Sequence, residues 1–115
     1  MKKLILSLAV ALLLGSVLMA GTVQGYVTDA ETGEPIDNAK VHFTTNDGRH
    51  IHFDAYTDEN GFFSRDIPND TYNCRALKST EYRVFLIEAV VVEEGITTID
   101  FQLEPTTGSP KNNGF

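Results

Sequence analysis

Residues 46–63, NDGRHIHFDAYTDENGFF, place two turns around one short strand and decide the fold class. Asn46-Asp47-Gly48 and Asp58-Glu59-Asn60-Gly61 carry the residue types that tight turns require. Between them, polar and apolar side chains alternate from His50 to Ala55. Because this period of two is typical of a strand with one face on a core, the stretch predicts a β-hairpin followed by a further strand.

Further turn signals extend the pattern in both directions, at Gly25, at Asp29–Pro35 and at Pro68–Asp70. They divide the chain into short strands at regular spacing, with no helical period after the first twenty residues. The predicted strands are Thr22–Asp29, Ala39–Thr44, Arg49–Ala55, Phe62–Ile67, Thr71–Leu77, Glu81–Ile87, Glu88–Glu93 and Ile96–Leu103. Such a series favours an all-β antiparallel sandwich or barrel.

The first twenty residues have the pattern of a secretory signal peptide. Lys2 and Lys3 precede an apolar run, and the small residue Ala20 is placed for cleavage before Gly21. We therefore expect a signal peptide at 1–20, one β-sandwich domain at 21–105, and a polar disordered tail at 106–115. This organisation predicts an exported protein, periplasmic or extracellular, with no membrane span after cleavage.

Charge and cysteine content limit the classes of partner and the source of stability. Sixteen acidic and nine basic residues give a formal net charge of −7, which disfavours nucleic acid and anionic membrane surfaces. Cations, polysaccharides and proteins remain as partners. Cys74 is the only cysteine, so no internal disulfide forms, and its alternation with Tyr72 and Ala76 predicts a thiol buried in the core.

Six segments in order resemble the carboxypeptidase regulatory-like domain. They are Val23–Asp29, Thr32–Ile36, Asn38–Val41, Thr57–Phe63, Asp70–Tyr72 and Gly95–Leu103. The resemblance implies a seven-stranded antiparallel Greek-key β-sandwich of transthyretin (prealbumin) type, close to carbohydrate-binding-like folds. It also implies a non-catalytic accessory module. Asp70 stands where that family usually has glycine, which changes the chemistry of one turn but not the plan of the strands.

Three histidines are the sharpest candidates for a metal site. Residues opposite each other in a sheet share a face, and Phe43 opposite Ile51 is the tightest register, with 46–48 as a three-residue loop. This register places His42 opposite His52 and His50 opposite Thr44. His42, His50 and His52 then offer imidazole ligands for Zn, Cu or Ni, and Asp54 on the same face offers a carboxylate ligand. The alternative is a solvated face that happens to be rich in histidine.

The remaining motifs favour binding over catalysis. No Ser, Cys or Thr lies in a nucleophile motif, no cofactor is implied, and Asp58–Gly61 lacks the remainder of a calcium loop. We expect a protein partner, with a glycan as the alternative because exposed tyrosines can stack on sugar rings. The expected contacts are Asn46, Asp47, Asp58 and Asn60 in loops, Tyr26 and Tyr56 on outward faces, and the stretch Val90–Val92, whose extended backbone could pair with a partner strand.

Overall fold

The computed structural model describes residues 20–106, which contain eight strands and no helix. The strands are β1 (Ala20–Asp29), β2 (Lys40–Thr45), β3 (His52–Tyr56), β4 (Phe62–Pro68), β5 (Asp70–Leu77), β6 (Phe85–Val92), β7 (Ile96–Thr98) and β8 (Phe101–Leu103). Residues 1–19 and 107–115 lie outside the described residues. The predicted signal peptide and nearly all of the predicted tail fall there and stay predictions.

Two sheets form the predicted sandwich. In the first sheet β1 is central, with β4 antiparallel on one side and β7 and β8 parallel on the other. The second sheet has the order β3-β2-β5-β6 and is antiparallel throughout. The sandwich is therefore confirmed. The predicted final strand is divided into two, and it pairs with β1 in parallel.

The core lies between the inner faces of the two sheets. Alternate residues of each strand contribute to it, as a period of two requires. Phe63 of the first sheet lies 6.4 Å from Phe43 of the second and 6.1 Å from Phe101, measured between ring centroids. The fully buried side chains include Val23, Val27, Val41, Phe43, Phe63, Ile67, Tyr72, Cys74, Val92, Phe101 and Leu103.

Gly25, a turn signal in the sequence that also falls inside the predicted strand Thr22–Asp29, forms no turn and lies within β1 opposite Phe63. Its role is to admit a neighbouring backbone, because a Cβ there would lie 1.6 Å from the carbonyl oxygen of Ile99. Beside it the Tyr26 N–H donates to Asp100 Oδ1 at 2.9 Å, where the parallel ladder changes from β7 to β8. The side chain of Asp100 thus supplies an acceptor at the break between these strands.

The β2–β3 register differs from the predicted one by two residues. Phe43 pairs with Phe53, and His42 pairs with Asp54 instead of His52. The connection is longer than three residues: β2 ends at Thr45, His50 takes a left-handed conformation with φ 62°, and β3 begins only at His52. Ile51, predicted to face the core, is 43% exposed. The parity argument was correct about faces within the strand but wrong about where the strand begins.

The predicted turn glycines behave as expected. Gly33, Gly48 and Gly61 all have positive φ, at 80°, 92° and 76°. Asp58 Oδ1 accepts hydrogen bonds from the backbone N–H groups of Asn60 and Phe62, which closes the turn before β4. These turns confirm the assignment of turn residues from sequence.

Two polar contacts fasten the loops around the core. The buried Thr57 hydroxyl donates to the Ile36 carbonyl at 2.6 Å and accepts from the Ala39 N–H at 2.8 Å. The Tyr82 hydroxyl donates to Asp29 Oδ2 at 2.8 Å, which joins the segment before β6 to the end of β1. Both contacts connect segments that are distant in the sequence. They stabilise the end of the sandwich at which β1 and β3 finish, which we call the closed end.

Candidate functional site

The outward face of β2 and β3 carries a compact group of titratable side chains. His42 Nδ1 and Asp54 Oδ1 lie 2.6 Å apart across the two strands, and Lys40 Nζ lies 3.9 Å from Asp54 Oδ2. The hydrogen bond with His42, and then the charge of Lys40, lower the pKa of Asp54 from its ordinary value, although desolvation opposes them. Asp54 is thus held as a carboxylate at neutral pH.

Of the three predicted histidines, the structure brings two together. The rings of His42 and His52 have centroids 5.3 Å apart and are tilted by 38°. They are diagonal neighbours, because His42 pairs with Asp54 and His52 pairs with Thr44. His50 precedes β3 in the exposed connection, so the predicted cross-strand pair of His50 and Thr44 is not formed.

In the loop between β2 and β3, the acidic residue Asp47 is paired with Arg49 of the same loop. Asp47 Oδ2 accepts from Arg49 Nε at 2.6 Å, and the same guanidinium contacts the carboxylate of Asp70. These contacts lower the pKa of both carboxyl groups; for Asp47 the backbone N–H of Arg49 is the largest cause. The Asn46 N–H donates to the Thr71 carbonyl at 3.1 Å. The predicted contact residues Asn46 and Asp47 therefore belong to a cross-linked loop.

The two loops predicted as contact surfaces lie at opposite ends of the sandwich. Residues 46–51 follow the end of β2, whereas Asp58–Gly61 follows β3, which runs antiparallel to β2. A Cβ on Gly61 would lie 2.7 Å from the Val27 carbonyl oxygen, so the second loop packs closely on β1. Asp58 and Asn60 cannot join Asn46 and Asp47 in one contact surface.

The two outward tyrosines are also separated. Tyr26 is on β1 in the first sheet, where its ring packs against Phe62 with centroids 5.2 Å apart. Tyr56 is on β3 in the second sheet, opposite Lys40. Both are half exposed or more. Since the outer faces of a sandwich point in opposite directions, these tyrosines form no common stacking surface.

The outer edge of β6 is the feature that sequence reasoning identified only in part. Val91 is exposed as predicted for a contact residue, but Val92 is buried in the core. Val84, Phe85 and Leu86, before and at the start of the strand, are exposed as well and were not predicted. Residues 84–87 are all apolar, so the sequence shows no alternation that would distinguish inward-facing from outward-facing side chains. We call Val84, Phe85, Leu86 and Val91 the apolar edge.

A β-bulge divides the apolar edge. Ala89 has φ 58°, and the pairing with β5 shifts between Tyr72 and Cys74. The Ala89 N–H donates to Asn73 Oδ1 at 3.1 Å instead of to the ladder. The neighbouring thiol of Cys74 is buried, as the sequence predicted, and desolvation raises its pKa to about 12.

In residues 20–106 there is no group of three or more His, Cys, Asp and Glu side chains that could hold a metal ion. Within the same residues, no helix is long and apolar enough to cross a membrane.

A family model for the carboxypeptidase regulatory-like domain matches residues 22–104. The chain belongs to this family. A relative, carboxypeptidase D of Mus musculus, is 35% identical over 88 residues, which make up 76% of this chain and 6% of that protein. The chain thus spans only a small part of the relative's length. The family predicted from the sequence is confirmed, and its regulatory-like domains are non-catalytic.

Solved structures show the same fold. A candidate carbohydrate-binding protein from Bacteroides uniformis has a TM-score of 0.60 at 19% identity, covering 74% of this chain and 41% of its own. The 3-chlorocatechol 1,2-dioxygenase from Rhodococcus opacus has a TM-score of 0.59 at 13% identity, covering 76% and 61%. The fold therefore occurs both in binding proteins and in enzymes, and at these identities the likeness concerns the fold alone.

Proposed function

We propose that this regulatory-like domain is a non-catalytic module that binds an extended segment of a partner protein along β6. The observation that carries the proposal is the apolar edge. Strand β6 pairs only with β5 in the described sheets, and the four side chains of the apolar edge are 41% to 57% exposed. A partner strand would pair with the free backbone groups and cover these side chains.

The charge around β6 favours a partner other than a second copy of this chain. Glu88 lies near the middle of the strand, and Glu93 and Glu94 follow its end. Antiparallel pairing of two copies about Glu88 would place the two Glu88 carboxylates directly opposite each other, which is destabilising. We therefore expect an apolar segment flanked by lysine or arginine.

Edge protection is the competing explanation for the acidic residues and the bulge. Bulges and charges commonly prevent sheets from pairing edge to edge. That explanation accounts for Glu88 and for the conformation of Ala89, but not for the exposed apolar side chains of the apolar edge, three on β6 and one just before it. A surface evolved only for protection has no need of them.

A peptide selection tests the proposal. Displayed random peptides would be selected on the wild-type protein and then measured against the double variant Leu86→Lys/Val91→Lys. The matched control is Ile96→Lys, because Ile96 is 66% exposed but lies on β7 in the first sheet. We expect apolar peptides with flanking basic residues, which lose binding to the edge variant and keep it to the control. Equal binding to all three proteins would refute an edge-strand site.

A glycan is the second candidate, supported by Tyr56. Tyr56 is 57% exposed and lies opposite Lys40, and one structural neighbour is a candidate carbohydrate-binding protein. A single tyrosine offers little stacking surface, so we rank this reading below the protein partner. Glycan binding that is lost in Tyr56→Ala and kept in Leu86→Lys/Val91→Lys would reverse that order.

Export is part of the proposal as well. Its support is the Lys2-Lys3 start, the apolar run that follows, and Ala20 before Gly21. Strand β1 begins at Ala20, so cleavage at this point would leave nearly all of β1 in the mature protein. N-terminal sequencing of protein recovered outside the cytoplasm is expected to begin at Gly21, and a retained Met1 would contradict it.

A further inference from the structure

His42 and His52 lie on the outer face of the second sheet, and His42 has a carboxylate hydrogen-bond partner of the kind found at metal-binding histidines. His42 Nδ1 is bonded to the Asp54 carboxylate at 2.6 Å. A carboxylate oxygen accepts, so Nδ1 carries the proton and Nε2 of the neutral ring is left with its lone pair. Metal-binding histidines almost always have such a carboxylate or carbonyl partner, which fixes the ring and raises its basicity.

The second imidazole is close enough to share an ion. The His52 ring centroid lies 5.3 Å from that of His42, and His52 is exposed at the start of β3. The two residues are on adjacent strands of one rigid sheet, so their separation is set by the β2–β3 pairing and not by a loop. The net charge of −7 also favours cations over the whole molecule.

We propose that His42 and His52 form a two-imidazole site for Cu²⁺, with Asp54 as a positioning residue. Imidazole suits copper, and Cu²⁺ binds nitrogen ligands more tightly than the other divalent first-row metals. No third His, Cys, Asp or Glu in residues 20–106 completes the set, so water or a partner group occupies the remaining positions. The site lies on β2 and β3, with β5 between it and β6, and is independent of the proposed partner edge.

Copper titration of the full chain tests the assignment, with His50 as an internal control. His42→Gln and His52→Gln are each expected to remove the electron paramagnetic resonance signature of two bound imidazole nitrogens. His50→Gln, which removes an exposed histidine outside the pair, is expected to keep both signature and affinity. Unchanged copper binding in His42→Gln and His52→Gln, or loss in His50→Gln, would overturn the site.

A variant of Asp54 tests whether this residue positions His42 for copper binding or only stabilises the sheet. Asp54→Asn retains the size of the side chain but removes the negative charge that holds His42. We expect copper affinity to fall by about 10- to 100-fold, with the two-nitrogen signature retained at saturating metal. Circular dichroism of each variant without metal shows whether the sheet is intact. An affinity equal to that of the wild type in folded Asp54→Asn would refute the role of Asp54.

Discussion

Gly25 in strand β1 and Ala89 in strand β6 occupy unusual positions, and the two positions use glycine and alanine in opposite ways. Gly25 in β1 is buried with no left-handed φ, and it is required because the Ile99 carbonyl occupies the space of a side chain. Ala89 in β6 has φ 58°, a conformation that favours glycine, and it is exposed. At position 25 of β1, the lack of space for a side chain requires glycine. At position 89 of β6, space is available, and an alanine adopts a strained left-handed conformation.

The contrast separates the part of the molecule that builds the fold from the part that is free to bind. At Gly25 in β1 the backbone of Ile99 occupies the space of a side chain, so an added side chain has no room to move. Along β6, one side of the strand has no neighbour in the described sheets. Substitutions should therefore cost much stability in the first region and little in the second.

Gly25→Ala is expected to have the largest effect. The new Cβ would meet the Ile99 oxygen at 1.6 Å, and relief requires β1 to move away from the junction of β7 and β8. We expect a loss of more than about 3 kcal/mol in the free energy of unfolding, measured by urea denaturation. This is a large fraction of the about 5–15 kcal/mol typical of a domain.

Gly33→Ala is the matched control for this first prediction. Gly33 has φ 80° and nothing within 4 Å of an added Cβ, so only backbone strain is introduced. A cost of about 1–2 kcal/mol is expected. If Gly25→Ala were no worse than Gly33→Ala, the close approach of Ile99 would not be what requires glycine in β1.

Thr57→Val tests whether buried hydrogen bonds also make the fold-building part of the molecule sensitive to substitution. The variant keeps the shape of the side chain but removes the donor to Ile36 and the acceptor for the Ala39 N–H. Because Thr57 is buried, the unfolding free energy should fall by about 1–3 kcal/mol. Thr98→Val, at an exposed position of β7, should change it by less than about 0.5 kcal/mol. Similar losses in the two variants would show that the Thr57 contacts add nothing.

The fold was predictable from sequence where local chemistry decides it. Turn glycines need only their own φ, so Gly33, Gly48 and Gly61 were assigned correctly. The buried state of Cys74 followed from alternation with its neighbours. Gly25 was misread because the reason for it lies in Ile99, over seventy positions away, and a single sequence does not show which backbone will pass there.

The candidate sites were less predictable, because they depend on register. A two-residue difference moved Asp54 to the position opposite His42, which turned an expected ligand into a hydrogen-bond partner. The left-handed conformation of His50 before β3 was not predicted, although histidine is among the residues enriched at positive φ. The apolar edge was missed in part for a different reason: residues 84–87 are all apolar, so their pattern does not tell which of them face solvent.

Tyr82→Phe tests the contact at the closed end through its pH dependence. The hydrogen bond to Asp29 raises the pKa of Tyr82 from 10.0 to about 12. The stability this contributes is fully present below pH 10 and is lost as the pH rises towards 12, because the unfolded chain ionises first. Urea denaturation between pH 8 and 11 should show a stability advantage of wild type over Tyr82→Phe that shrinks with rising pH. Tyr26→Phe serves as an exposed control, and a constant advantage would contradict the prediction.

Ala89→Gly is expected to have the smallest effect and the opposite sign to Gly25→Ala. Removing the methyl group relieves a left-handed strain of about 1–2 kcal/mol, while the greater freedom of glycine in the unfolded chain costs about 0.5–1 kcal/mol. The net result is a small gain in the free energy of unfolding, under about 1 kcal/mol. Because the Ala89 N–H keeps its bond to Asn73, the bulge persists and peptide binding along β6 should not change. A loss of stability in this variant would mean that Ala89 is not left-handed, and the comparison between the two strands would then fail.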